Sequence, residues 1–314
     1  MLRFFEGPST QEGAFMASIA THFGIAGPVP FLNIEVHQDN RRFLDPHAIR
    51  LMAGPQPFAQ DAISALDSFF TRVSLDAMSS SSGDRRRGLD LLQHFEEPWE
   101  TRLGMAGDGF RGHGGAADVG QWMWDALTTD LVALLRVGVL KHLEELPLFV
   151  KGIDRDITSD VTTRIVFGAL ADFTAGMLNT YPQFTSGGHT SITLVRQVWD
   201  TELQQWARRE VVLPQVDGKP LLLVPAGWAR STLLMSARRF YDTKVLSFAQ
   251  DEQAVVTHDG SVLTTRKDDL RKQEPLARGR ATNRVVTLRA EAAGVNLLEV
   301  FRRFVDAKAE KNAA

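Results

Sequence analysis

Residues 148–173 (LFVKGIDRDITSDVTTRIVFGALADF) constrain the fold more than any other part of this sequence. The stretch consists of a short apolar run at 148–150, a loop with Asp154, Asp156 and Asp160, and a helical pattern from Val161 onward. Carboxylates gathered where a buried strand gives way to a helix can hold a divalent cation. They can equally cap the helix and face its dipole. Both interpretations stay open at this point.

The capping interpretation assigns the N-cap to Ser159 or Asp160, with Asp156 near the positive end of the helix. Three aspartates within seven residues repel one another, and a cation or Arg155 must offset that repulsion. The metal interpretation adds the carboxylates of Glu96 and Glu100. In the other interpretation these two and Glu97 are all solvated. The predicted cation is Mg²⁺, and its predicted ligands are Glu96, Asp154, Asp156 and Asp160.

Composition narrows the class of protein. A chain of 314 residues with 44% hydrophobic residues can bury one large core or two smaller ones. The net charge of -3 provides no overall attraction for nucleic acid, so such binding needs a local patch. The absence of cysteine excludes disulfides, thiolate metal sites and cysteine nucleophiles. Acidic residues near the N-terminus and charges within 126–150 argue against a signal peptide and a bilayer span, so a cytoplasmic protein without a membrane partner is expected.

Apolar periodicity predicts an α/β or α+β fold, with a mixed sheet covered by helices and a C-terminal β-hairpin and helix. Helices are predicted within 63–73, 118–146, 192–206, 232–248 and 297–305. Strands are predicted near 31–36, 41–45, 148–152 and 221–224, and a hairpin at 254–265 around Asp259-Gly260. Residues 79–88 are predicted to form a surface loop. The expected division is a core domain at 1–250 and a C-terminal part at 251–314 containing the hairpin, a basic segment and the helix.

Residues 104–115 form a glycine-rich segment that can approach a ligand closely. A phosphate cradle would use Gly107, Gly109, Gly112 and Gly114, with a helix starting just after them. The spacing matches neither the P-loop nor the dinucleotide fingerprint. A glycine-rich surface loop is therefore the other interpretation.

A basic segment at 266–289 carries eight lysines and arginines against three acids. Such a cluster can follow a phosphate backbone, or it can be a solvated surface. The predicted nucleic-acid contacts are Arg266, Lys267, Arg271 and Lys272. The histidines show no zinc-binding spacing, and no GxSxG elbow supports a serine hydrolase.

Four phrases, FLDPHAI, HFEEPWETRLG, GIDRDITSDVTTRI and KPLLLVPAGW, resemble a set found in uncharacterised bacterial proteins of anti-phage defence and mobile-element gene clusters. The resemblance covers most of residues 31–230. It implies a defence component, such as a nuclease or the partner of an ATPase. It assigns no catalytic residue.

The leading hypothesis is a Mg²⁺-dependent nuclease, a phosphodiesterase in which the metal activates water and neutralises phosphate. Its expected catalytic residues are Glu100, Asp156, Asp160 and Lys219, with Lys219 stabilising developing charge. The order of elements departs from a PD-(D/E)xK nuclease, since no (D/E)xK strand follows Asp160. The alternatives are a non-catalytic subunit that binds a protein partner or nucleic acid, and a nucleotide-binding enzyme that uses the glycine-rich loop.

Overall fold

The computed structural model describes residues 17–104 and 116–313, in which helices surround three small antiparallel sheets. The α+β class, the C-terminal hairpin and the C-terminal helix are confirmed. The strands do not join into one mixed sheet. They form two two-stranded sheets and one three-stranded sheet, and every pairing is antiparallel. The described helices are α1 (Ile19–His22), α2 (Pro46–Met52), α3 (Phe58–Met78), α4 (Ser82–Leu92), α5 (Ala116–Asp125), α6 (Val132–Arg136), α7 (Arg155–Ile165), α8 (Phe167–Thr180), α9 (Ala237–Phe240), α10 (Leu246–Glu252), α11 (Lys267–Leu270), α12 (Arg280–Ala292) and α13 (Leu297–Ala313). The described strands are β1 (Phe43–Leu44), β2 (Ser191–Asp200), β3 (Gln205–Val216), β4 (Lys219–Pro220), β5 (Ala229–Arg230), β6 (Val255–Val256) and β7 (Val262–Leu263).

Helix α3 runs through the main hydrophobic core. Its predicted apolar positions Leu66, Phe69, Phe70 and Val73 are all buried, at the spacing that places them on one face. That face packs with α2, α4 and α8. The helix pattern therefore predicts both the element and its buried side correctly.

The long β2–β3 hairpin replaces the helix that was predicted at 192–206. The two strands pair antiparallel from Ser191 opposite Pro214 to Asp200 opposite Gln205. Near its turn, Trp199 and Trp206 face each other with ring centroids 5.5 Å apart. β-Branched residues are frequent in this stretch, and cross-strand aromatic pairing stabilises a sheet through packing that a helix would lose.

The serine- and arginine-rich run at 79–88 is not the predicted surface loop. The side chain of Ser81 accepts a hydrogen bond from the amide of Asp84 and so caps α4. Arg87 bridges Asp84 on the same helix and the buried Asp76 on α3. These contacts turn an apparently flexible basic segment into a helix fixed on α3.

Two of the predicted strands are buried but are not strands. The run 148–150 directly follows a 3-10 turn at Leu143–Leu148, and the run 221–224 extends through the core beyond β4. In the second run, the amide of Leu222 donates to the backbone oxygen of Glu100, and that of Leu223 donates to the Thr174 hydroxyl. Short apolar runs report burial, and they leave the backbone conformation undecided.

The predicted strands at 31–36 and 41–45 do not pair with each other either. This segment is held by isolated bridges, and its only ladder in the described chain pairs Phe43–Leu44 with Ala229–Arg230. The C-terminal helices share the main core, where Phe301 of α13 packs 5.1 Å from the Phe240 ring. A second, smaller cluster around Phe23, Phe31 and Phe184 covers the other end.

Across residues 17–104 and 116–313, no single helix combines the length and apolarity that a bilayer crossing requires. The successive helices α7 and α8 reach that length and composition only as a pair, with a bend of 70° between them.

Candidate functional site

A cleft of about 390 Å³ opens between the segment that precedes residue 101, helix α7 and the β2–β3 hairpin. Three arginines and two tryptophans line it: Arg164, Arg196, Arg208, Trp99 and Trp206. Helix α7 supplies Arg164, and the hairpin supplies Arg196, Arg208 and Trp206. Residues that are far apart in the sequence thus meet on one polar and aromatic surface.

Glu100 is the anchor of the cleft. Its carboxylate is 1% exposed and accepts a hydrogen bond from Nε of Arg196 at 2.9 Å. Nη2 of Arg164 approaches its other oxygen at 3.4 Å. Because a buried carboxylate needs such partners, Glu100 fixes both guanidinium groups at the wall of the cleft.

Arg164 also binds the backbone of the segment that precedes Glu100. Its Nε and Nη2 donate to the backbone oxygens of Glu96 and Glu97 at 2.7 and 2.6 Å. Burial lowers the pKa of the Arg164 guanidinium, and the nearby carboxylates of Glu100 and Glu96 oppose that shift. The pKa of an arginine starts so high that Arg164 stays charged, and it serves as the central positive group of the cleft.

Arg208 has a different position. It lies opposite Gln197 in the hairpin, is exposed, and forms no ion pair with any acid in the described chain. The amide of Gln197 meets Nδ1 of His94 at 3.0 Å. Trp206 donates its Nε1–H to the backbone of Leu91, which fixes its ring.

Trp99 forms the outer rim of the cleft. It begins a 3-10 turn at Trp99–Thr101, and 42% of the residue is exposed. The Arg102 guanidinium lies 5.7 Å from its ring centroid. An exposed indole beside arginines is a surface on which a planar ligand can stack.

The predicted acidic loop begins helix α7. Asp154 is its N-cap and accepts hydrogen bonds from the amides of Asp156 and Ile157. Gly152 just before it has φ +94, and a Cβ there would lie 2.5 Å from the Trp122 ring, so the turn requires glycine. The cap is therefore Asp154, and not Ser159 or Asp160, which lie inside α7.

Asp156 and Asp160 follow on successive turns of α7. Burial, Asp156 and Glu97 together raise the pKa of Asp160 to about 8, and Arg164 opposes them. Asp160 is thus largely protonated at neutral pH. Arg164, one turn further along α7, lines the cleft, whereas Asp156 and Asp160 are not among its lining residues.

The predicted catalytic and metal residues converge only in part. Glu96 and Glu100 line the cleft, whereas Asp154 is occupied as a helix cap. Lys219 lines a separate cavity of about 270 Å³ with Arg102 and Asp217. Lys219 lies in the short strand β4, which pairs with β3 and not with the acid loop. Among the residues that the structure describes, no group of three or more histidines, aspartates or glutamates is arranged to hold a metal ion.

Of the glycine-rich segment at 104–115, only Gly104 belongs to the described residues. The predicted Gly107, Gly109, Gly112 and Gly114 lie outside the described residues. Gly104 is described, and a Cβ built there would be 3.7 Å from an Asp156 carboxylate oxygen. Gly104, the last described residue before the gap, therefore lies beside Asp156.

The predicted nucleic-acid contacts in the C-terminal segment are mostly engaged within the protein. Lys267 donates to the backbone of Asp242 and to Ser247, Arg271 pairs with Asp242, and Lys272 pairs with Asp269. Arg266 precedes α11 as its N-cap residue. Much of the positive charge counted in the sequence is thus balanced by neighbouring acids.

Arg196 and Trp206 of the cleft were not predicted, because 192–206 was assigned to a helix. The sequence signal for a strand was the alternation of polar and apolar residues at 191–194, which matches the alternating exposure along β2. The pairing of Glu100 with Arg196, 96 positions apart, has no local signal at all.

Fold and site together define an α+β protein with an arginine- and tryptophan-lined cleft. The chain belongs to the family described as a domain of unknown function, DUF8370, whose model matches residues 27–236. All the cleft residues lie within that match, and α9 to α13 follow it. Neither a curated protein nor a solved structure matches the chain.

Proposed function

We propose that this protein binds single-stranded nucleic acid in the cleft. In the simplest form of this proposal, the protein is a non-catalytic binding subunit. The observation that carries the proposal is Arg208, an exposed arginine without a described acidic partner, on the same surface as Trp99 and Trp206. Arginines bind backbone phosphate, and the faces of tryptophans accept bases. The cleft offers both.

The charge balance of the cleft supports an anionic ligand. Three arginines line it against Glu96 and Glu100, and Glu100 is occupied by Arg164 and Arg196. This local excess matters because the whole chain has a net charge of -3. An incoming phosphate would meet prepositioned guanidinium groups, which lowers the entropy cost of binding.

Single strands suit this surface better than duplexes. A duplex stacks its bases on each other, so no base face is free for a side chain such as Trp99. The 42% exposure of Trp99 at the rim makes its ring accessible to a strand that enters the cleft. We therefore expect stacking on Trp99 and phosphate contact at Arg208.

Fluorescence anisotropy with labelled oligothymidylate and oligouridylate tests the proposal. Trp99→Ala should weaken binding about tenfold, in line with about 1–3 kcal/mol for one stacked base. Arg208→Gln should weaken binding and reduce the salt dependence by about one phosphate contact. The control is Arg303→Gln on α13, where the arginine is 78% exposed and pairs with Glu299. Wild-type affinity in both cleft variants would contradict the proposal.

A metal-dependent phosphodiesterase is the second candidate, and the raised pKa of Asp160 favours it. Two carboxylates lie on successive turns, and burial and neighbouring carboxylates keep one of them protonated. A divalent cation that binds the pair would displace this proton into solvent. Asp156 and Asp160 would be the ligands, and Mg²⁺ would supply an activated water.

Cleavage of the same oligonucleotides with Mg²⁺ or Mn²⁺, with EDTA as the metal-free control, tests this candidate. Asp156→Asn and Asp160→Asn should abolish cleavage and leave the melting temperature unchanged or higher. The control is Asp251→Asn, which changes an exposed aspartate on α10. If the wild-type protein binds these oligonucleotides but cleaves none of them, the nuclease candidate is wrong and the binding subunit remains.

A role in anti-phage defence stays part of the proposal. It follows from the resemblance of the motif set, and the cleft would give such a component contact with nucleic acid. Plaque counts on cells that express the wild-type protein, Trp99→Ala or Arg303→Gln would test it, and protection by the wild type and the control alone is expected.

A further inference from the structure

A second pocket, away from the cleft, is lined by three arginines. It has a volume of about 300 Å³ and is formed by the segment before α7, residues 232–239 and the first residue of α12. Arg155, Arg239 and Arg280 contribute to its wall. Among the described residues that line it, the one carboxylate is that of Asp154, which is occupied as the cap of α7.

Each of these guanidinium groups is positioned by a backbone carbonyl. Arg239 donates from Nη1 to Leu234 at 3.3 Å, and Arg280 donates from Nε to Pro147 at 3.1 Å. Arg155 donates to Ser231 at 3.3 Å and lies 4.7 Å from the ring centroid of the buried Phe43. In Arg239 and Arg280, a carbonyl orients the guanidinium but does not balance its positive charge, and other N–H groups can bind a ligand.

The contrast with nearby arginines makes this pocket unusual. Arg271 and Arg278 both pair with the carboxylate of Asp242 at 3.1 Å. Arg239 and Arg280 form no ion pair with any acid in the described parts of the chain. Burial lowers the pKa of Arg280, and no neighbouring carboxylate opposes that shift. An anion in the pocket would supply the missing negative charge.

We propose that this arginine pocket binds a phosphate-bearing ligand, with Arg239 and Arg280 as its main contacts and Arg155 as the third. Planar guanidinium groups match the geometry of phosphate oxygens and bind them in pairs. The volume is at the lower end of the range for small-molecule sites, roughly 300–1,000 Å³. The phosphate can belong to a free nucleotide or to a polynucleotide backbone.

The location adds a structural role. Arg155 lies within residues 27–236, which match the family, whereas Arg239 and Arg280 follow that match. A bound phosphate would therefore connect the family region with the C-terminal helices. This inference does not depend on the proposed function of the cleft.

Calorimetric titration of the full chain with inorganic pyrophosphate, ADP and oligothymidylate tests the proposal. Saturable pyrophosphate binding is expected, and Arg239→Gln should weaken it about tenfold, the effect of losing one charged contact. Arg280→Gln should do the same. Arg239→Lys, which keeps the charge, should retain part of the affinity, and Arg303→Gln on α13, outside both sites, should leave it unchanged.

The ligand series separates the two sources of phosphate. ADP binding that depends on Arg239, with oligothymidylate unaffected by Arg239→Gln, supports a free nucleotide. Weaker oligothymidylate binding in Arg239→Gln supports a backbone phosphate. Arg280→Gln also removes the hydrogen bond to the Pro147 carbonyl. If that variant has a lower melting temperature than the wild type, the pyrophosphate affinity of Arg239→Gln alone tests the proposal. The proposal is wrong if the wild type binds no pyrophosphate, or if Arg239→Gln binds it as tightly as the wild type.

Discussion

Glu144 and Asp160 are both largely removed from solvent, yet their pKa values move in opposite directions. Burial alone would raise the pKa of Glu144, but His47 and Arg50 outweigh it and lower that pKa to about 2. At Asp160, burial acts together with two neighbouring carboxylates and raises the pKa to about 8. The partners of a buried carboxylate, and not its burial, decide whether its charge stabilises the fold.

The two regions differ in what their charges connect. Glu144 accepts a hydrogen bond from Arg50 at 2.7 Å, and Arg50 also binds Asp67 on α3 at 2.6 Å. This network joins α2, α3 and the turn that precedes α7, so it holds the core together. The region of Asp160 concentrates like charges, which is typical of a functional site.

The largest effect is expected from Glu144→Gln. Loss of this carboxylate leaves Arg50 and His47 buried without their common partner, and breaking such a buried pair costs about 3–5 kcal/mol. Urea unfolding at neutral pH measures the change in the free energy of unfolding. The matched control is Glu299→Gln, an exposed helix pair with Arg303 that should change stability by less than about 0.5 kcal/mol. Equal losses of stability in the two variants would show that the buried Glu144 stabilises the fold no more than an exposed glutamate does.

Asp160→Asn should have the opposite sign. The folded-state pKa of Asp160 lies above its unfolded value, so the folded wild type retains a proton and loses stability as pH rises from about 4 to 8. Asparagine cannot ionise, and the variant should therefore be more stable than the wild type by a margin that grows over this range and then levels off. Unfolding curves across the pH range measure that margin. A margin that is independent of pH would show that the proton is not held at Asp160.

The smallest effect is expected from Asp306→Asn. Nε2 of the buried His47 lies 2.7 Å from Asp306, which is 35% exposed, and Glu144 and Asp306 raise the pKa of His47 against its burial. The stabilisation by protonated His47 is present below its unfolded pKa near 6.5 and is lost as pH rises through the folded pKa. The variant should lose about 1 kcal/mol or less in mild acid, and less in alkali. A loss larger in alkali than in acid would contradict this assignment.

Local signals predicted the elements that local interactions decide. The spacing of Leu66, Phe69 and Val73 predicted α3, and Asp259-Gly260 predicted the β6–β7 hairpin. The strand at 192–200 was missed because its register depends on pairing with residues 205–214, which no window over one segment contains. The candidate site was missed for the same reason. Its acids could be named one by one, but the fold decided that Glu100 would meet arginines and that Asp160 would meet other carboxylates.

The contact of α13 with the main core has a practical consequence for work on this family. Phe301 and Leu298 are buried with residues that lie inside the matched region, such as Leu134 and Phe149. A chain cut at residue 236 would leave their counterparts in water, and exposed apolar patches of that kind promote self-association. The end of the family match at residue 236 is therefore not the end of the core, and recombinant fragments should extend through α13 so that this core stays covered.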